Sequence, residues 1–135
     1  MTEKISVTLN LTELGQIDYL VEKGLYNNRS DFMRLAARKM LEGHESEFGQ
    51  FLMEGRNRAN NAITKSNSMI GAFVLEKSDI SRILEDGRKI HLRVIGVMKI
   101  SKKITADDIK QAYASIRITG KLFASDEVRE AIENL

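Results

Sequence analysis

The sequence contains no cysteine and no proline. Without thiols there is no disulfide framework and no thiolate metal site. Without proline, a rigid spacer or proline-rich tail is disfavoured. Histidine occurs twice, as His44 and His91. A lone histidine is usually structural, so a histidine-built metal centre is not expected. No apolar run is long enough to span a bilayer, and no basic segment leads into an apolar, small-residue leader. These absences fit a cytoplasmic protein. The motifs G-x-x-x-x-G-K-S/T, G-x-S-x-G and H-E-x-x-H do not occur. The one adjacent acid pair that could be called catalytic, Asp107 and Asp108, is accounted for by a helix N-terminus. The expectation is therefore a chain that is not an enzyme and needs no cofactor.

What is present is the profile of a globular protein. Of 135 residues, 42% are hydrophobic and 30% charged, enough for one domain or two small ones. The net charge is +2 and the pI about 8.9, mildly basic and weak support for a nucleic-acid partner.

Residues 4 to 10, KISVTLN, alternate strictly. Ile5, Val7 and Leu9 fall on one face and Lys4, Ser6, Thr8 and Asn10 on the other, the pattern of a half-buried strand. The period then becomes helical. Asn10 is an N-cap with Glu13 at N3, Leu14, Ile17, Leu20 and Val21 form a stripe, and Gly24 suits the position after the helix. Asn28 caps a second helix with Asp31 at N3, and Phe32, Leu35, Ala36 and Met40 form its apolar stripe. So small a unit buries too little surface to be secure alone, and its strand has two open edges. Both problems vanish if two chains pair their strands antiparallel and interlock their helices.

This order of elements resembles the ribbon–helix–helix family, the class of the Arc and MetJ repressors. The similarity is carried by KISVTLN, by LTELGQIDYLVEKG and by YNNRSDFMRLAARKML, and covers residues 1–42. The resemblance implies an obligate dimer whose two-stranded ribbon enters the DNA major groove. By position, Lys4, Ser6 and Thr8 would face base edges. Asn28, Arg29 and Ser30 would offer backbone N–H groups and a positive helix end to a phosphate. Ser6 and Thr8 are short, so modest sequence specificity is expected.

Residues 43–65 read as a connecting helix or two, with Phe48, Phe51, Leu52, Ala59 and Ile63 near helical spacing, Gly49 and Gly55 weakening the pattern, and Arg56 and Arg58 read as solvated. Residues 66–135 carry an internal repeat. Gly71, Gly96 and Gly120 are 25 and 24 residues apart, each in an alternating apolar segment. The expected inward positions are Met69, Phe73 and Leu75; Leu92, Val94, Met98 and Ile100; and Ile116, Ile118, Leu122 and Ala124. Helices capped by Ser78, Thr105 and Ser125 should follow, burying Ile80, Ile83 and Leu84, then Ile109 and Ala112, then Val128 and Ile132. The expected fold is mixed α/β: a ribbon–helix–helix unit followed by a small strand–helix repeat domain, leucine-rich-repeat-like, with parallel strands. An open sheet with a ligand site, like the effector domain of a nickel-responsive regulator, is the competing architecture, and two histidines argue against nickel.

The outward positions of these strands, among them Ile70, Val74, Ile95, Val97 and Phe123, are too apolar to be wholly solvated. The functional expectation is a dimeric, sequence-specific DNA-binding regulator, by the resemblance a repressor, able to form a tetramer or larger through residues 66–135. The alternatives are an antitoxin or scaffold whose C-terminal repeats hold a protein partner.

Overall fold

The computed structural model describes residues 1–57 and 63–135. Arg58 and Ala59, assigned above to the connecting helix, lie outside the described residues. The chain divides into two compact units, Met1–Glu45 and Ser46–Leu135.

The first unit holds α1 (Leu11–Glu22) and α2 (Arg29–Glu42). Asn10 caps α1, its Oδ1 accepting from the Glu13 N–H at 2.7 Å, and Asn28 caps α2, its Oδ1 accepting from the Asp31 N–H at 2.8 Å. Both caps stand where the sequence places them, because an Asn side chain can satisfy one of the first N–H groups that a helix leaves unpaired. Tyr26, in the turn, meets Phe32 edge-on with ring centroids 4.9 Å apart.

Residues 1–10 carry no strand, a departure from the alternating pattern at 4–10. The physical reason is that a strand is defined by its pairing, and one chain offers this segment no partner.

All but the first residue of α3 (Glu45–Asn57) belongs to the second unit. There follow β1 (Thr64–Leu75), α4 (Lys77–Asp86), β2 (Lys89–Ile100), α5 (Ala106–Ala112), β3 (Tyr113–Phe123) and α6 (Asp126–Glu133). The strand β1 begins at Thr64, so Thr64 and Lys65 leave the stretch read as helix. The three strands are parallel in the order β1-β2-β3. Inner strand residues and the apolar faces of α4, α5 and α6 share one core. Ile80, Val94, Ile109 and Val128 are fully buried there, each contributing about 2 kcal/mol by removal from water.

One expected core position shifts: Leu84 is 43% exposed, while Ala131, which the spacing did not single out, is buried beside the expected Ile132. The core also takes Ile104 and Tyr113, which lie outside the periodic segments: α5 runs straight into β3, so Tyr113 is both its C-cap and the first strand residue. Burial first, and then the negative charge of Asp79, push the Tyr113 hydroxyl up to about 12. Glu76 rather than Ser78 precedes α4, its N–H donating to Asp79 Oδ2 at 2.8 Å. Thr105 and Asp108 form the expected capping box, and Ser125 caps α6.

The glycines set the register. Gly71 pairs with Gly96 and Gly96 with Gly120. All three have positive φ, 141°, 131° and 134°, a conformation that side chains strongly disfavour. The approach is also too close for anything but hydrogen. A Cβ on Gly96 would lie 2.1 Å from the Gly71 carbonyl oxygen, and one on Gly120 would lie 1.9 Å from that of Gly96. At Gly71 the nearest atom is a Phe73 ring carbon, at 3.3 Å.

Gly96→Ala forces both strain and a backbone clash, and should cost about 3 kcal/mol or more, since strain at such a position alone costs 1–3. Gly71→Ala meets only a movable ring and should cost less. Urea unfolding followed by circular dichroism gives the ranking, and equal losses would contradict it.

The Asp108 carboxylate pairs with Lys77 of α4 and accepts from the Thr105 N–H. The Lys77 bond first, then the Thr105 N–H, hold its pKa below the usual carboxylate value. A lowered folded-state pKa means the contribution is present above the ordinary carboxylate range and is lost as pH falls through the folded value. Asp108→Asn should therefore cost about 1 kcal/mol at neutral pH, the scale of a helix-cap loss, and nothing at strongly acid pH. A difference from wild type that persists unchanged into acid would refute it.

Candidate nucleic-acid interface

In the first unit the candidate base-contacting residues, Lys4, Ser6 and Thr8, are all exposed. Their alternate neighbours are not hidden either. Ile5 is 82% exposed and Val7 56%, while Leu9 is half-buried. The amphipathic alternation is thus present in the chain but has nothing to bury against.

The helices show the same deficit. Among the described residues of this unit Ile17 alone is buried, at 6% exposure, while Leu11, Tyr19, Leu25, Leu35, Met40 and Leu41 are exposed. A unit with one buried side chain cannot offset the conformational entropy of ordering some forty residues. Its apolar stripe is complete in sequence and uncovered in space.

The second group, Asn28, Arg29 and Ser30, comes together at the start of α2. The Asn28 side chain is committed to capping. The Asp31 carboxylate, one turn in, accepts from the Asn27 N–H at 3.1 Å. Among the described hydrogen bonds none uses the N–H of Arg29 or Ser30, the first two donors of the helix. Those two groups and the Ser30 hydroxyl are chemically able to receive an anionic oxygen.

Arg29 is where the structure departs from a simple phosphate contact. Its guanidinium lies against Asp18 of α1 in a two-point ion pair, Nε to Oδ1 and Nη2 to Oδ2, both 2.8 Å. The hydrogen bond from Arg29 holds the Asp18 carboxyl below the usual range, and Asp18 raises Arg29 in turn. The arginine ties α1 to α2 and positions the α2 N-terminus, with part of its charge already answered. Asp18 was not singled out from sequence: the pair spans 11 residues across a turn, and no local periodicity signals it.

In the second unit, Phe51 and Glu54 of α3 meet Arg93 of β2. The guanidinium sits 4.7 Å from the Phe51 ring centroid, and Nη1 lies 2.8 Å from Glu54 Oε2. Gly55 lets α3 approach the outer face of the sheet, since a Cβ there would lie 2.5 Å from the Ser68 backbone nitrogen. Arg93 is therefore engaged, and Arg56 is exposed. His91 Nδ1 lies 2.8 Å from Ser115 Oγ, a pairing between neighbouring strands.

Two helices joined by a turn, with a polar N-cap at the second, define a small α-helical unit preceded by an alternating segment that forms no strand within the single chain. The chain matches the Ribbon-Helix-Helix transcriptional regulator family over residues 1–129. It belongs to that family, and the match takes in most of the parallel sheet as well as the first unit. Neither the curated proteins nor the solved structures compared with the chain give a match. Among the described residues no helix is long and apolar enough to cross a membrane.

If the Arg29–Asp18 pair chiefly occupies the arginine's charge, Asp18→Asn should leave the helices formed and release the guanidinium. Circular dichroism should be unchanged at neutral pH. DNA affinity should rise and its salt dependence steepen by about one unit, as one cationic contact per chain is gained. Weaker binding with an unchanged salt slope would assign Asp18 to the interface itself.

Proposed function

We propose that the protein is a sequence-specific DNA-binding transcriptional repressor of the cytoplasm, working by binding rather than catalysis. Two chains pair residues 4–10 antiparallel and pack their helices together. The ribbon enters the major groove with Lys4, Ser6 and Thr8 toward base edges. The α2 N-terminus, through the N–H groups of Arg29 and Ser30, meets the backbone on either side. The observation that carries this reading is the uncovered apolar stripe of the first unit, running from Ile5 and Val7 through Leu35 and Met40. A second copy covers it and at the same time pairs the strand, and both strand faces then have a use. Residues 66–135 form a short leucine-rich-repeat-like stack that joins dimers or holds a partner.

A protein-partner function for the second unit, as in an antitoxin or scaffold, is favoured by the outer face of the sheet. There Ile70 is 40% exposed, Val74 55% and Phe123 37%.

Two substitutions test the DNA reading. Val7→Asp buries a charge in the proposed dimer core and should leave a dissociated, largely unfolded first unit at micromolar concentration, because an unpaired buried charge is very costly. Lys4→Glu touches neither core nor stripe. It should leave the fold intact and abolish binding to the protein's own upstream DNA at two salt concentrations. Equal affinity of Lys4→Glu and wild type would exclude the ribbon from the groove and leave the partner-binding function in its place.

A further inference from the structure

Among the described residues the sheet ends in β1 on one side and β3 on the other, and neither outer edge has a strand partner. We infer that they are complementary, and that the β1 strand of a second copy adds in parallel to the β3 edge of the first, with Gly71 beside Gly120. The glycine row selects this partner. At both junctions within the sheet the later strand must carry glycine, because its Cβ would otherwise strike the preceding glycine's carbonyl oxygen at 2.1 or 1.9 Å. A strand placed beside β3 in the same way meets the same requirement at Gly120. β1 meets it. Gly71 has the backbone shape of the other two, with φ of 141°, although no backbone atom lies close to where its Cβ would be. Its conformation is that of a strand that follows another, displayed at an edge where no described strand precedes it.

Three further observations point the same way. From Ser66 to Leu75, β1 has neither charge nor proline, the devices that usually blunt an edge against pairing. A cleft of about 610 Å³ is also lined by β1 and α4, with Met69, Phe73, Ile83 and Met98 in its wall and Arg82 and Asp86 among its charged residues. A neighbouring β3 and its helix α6 would stand against this cleft. Finally, the register set by Gly71 and Gly120 brings Met69 beside Ile118 and Phe73 beside Leu122 on the inner face. On the outer face it brings Ala72 beside Lys121 and Val74 beside Phe123. On the inner face apolar side chains meet apolar ones, on the outer face Val74 meets Phe123 while Ala72 meets Lys121, and no like charges oppose.

Such a contact is heterologous and has no two-fold axis, so it closes as a ring or continues as a filament. It uses only the second unit and stands whether or not the first unit binds DNA. Sedimentation of the full chain without DNA, from micromolar to sub-millimolar, tests it. The mass of wild type should climb with concentration past that of two chains. Ala72→Lys sets a lysine opposite Lys121 of the neighbour and should move this growth to several-fold higher concentration. Ala72→Asp should move it several-fold lower, and does so independently of how the lysine variant folds. Combining Ala72→Lys with Lys121→Glu should restore growth. A wild type that never exceeds two chains overturns the inference. So does a double variant that fails to recover while Ala72→Asp gains nothing, the outcome expected if β1 pairs with another β1.

Discussion

The backbone contact between glycines across the parallel sheet is the constraint on which the second unit depends. Parallel strands ordinarily stand far enough apart for side chains to alternate above and below them. Here the backbone at Gly96 comes so near the Gly71 carbonyl, and Gly120 so near Gly96, that no side chain fits between. This closeness keeps the three strands in register. It aligns Met69, Val94 and Ile118 as one row and Phe73, Met98 and Leu122 as another. The helices then need only cover rows already aligned, which explains how segments as short as α5 and α6 close a core with Ile109 and Val128 fully buried.

The first unit works from the opposite condition. Its local signals are strong: two Asn caps, an aromatic contact across the turn and a two-point ion pair between helices. Each is worth little alone, and exposed ion pairs least of all. What the unit lacks is burial, with Ile17 its sole buried side chain among the described residues. Local geometry is settled within the chain, while cohesion has to be supplied from outside it. Membership of the ribbon–helix–helix family agrees with this division, since a lone amphipathic strand gains both its hydrogen bonds and its covered face when a like strand lies beside it.

The α2 N-terminus joins fold and function in one short segment. Asn28 caps, Asp31 braces the turn and Arg29 reaches back to Asp18, while no described hydrogen bond uses the N–H groups of Arg29 and Ser30. An anion-receiving helix end is most useful when it is rigid, and the ion pair provides that rigidity at the expense of some of the arginine's own charge. The residue that looked from sequence like a direct phosphate ligand therefore has a structural duty as well.

Much was legible before any coordinates. Period two and period 3.6 are geometric facts of strands and helices, so Leu92, Val94 and Met98 could be assigned inward and Ile80 and Ile109 buried from spacing alone. Asn10, Asn28, Thr105 and Ser125 could be named as caps because capping is a contact between residues three apart. The regular spacing of three glycines likewise announced parallel strands in register. What the sequence did not disclose were contacts between residues far apart in the chain or outside the periodic runs. Asp18 meets Arg29, Glu54 meets Arg93, Lys77 meets Asp108, and Ile104 and Tyr113 enter the core from connections rather than from elements. The alternating segment at residues 4–10 shows the limit most clearly. Its face pattern is written in the side chains, but pairing belongs to whatever backbone lies alongside, and only tertiary structure, or a second chain, can decide that.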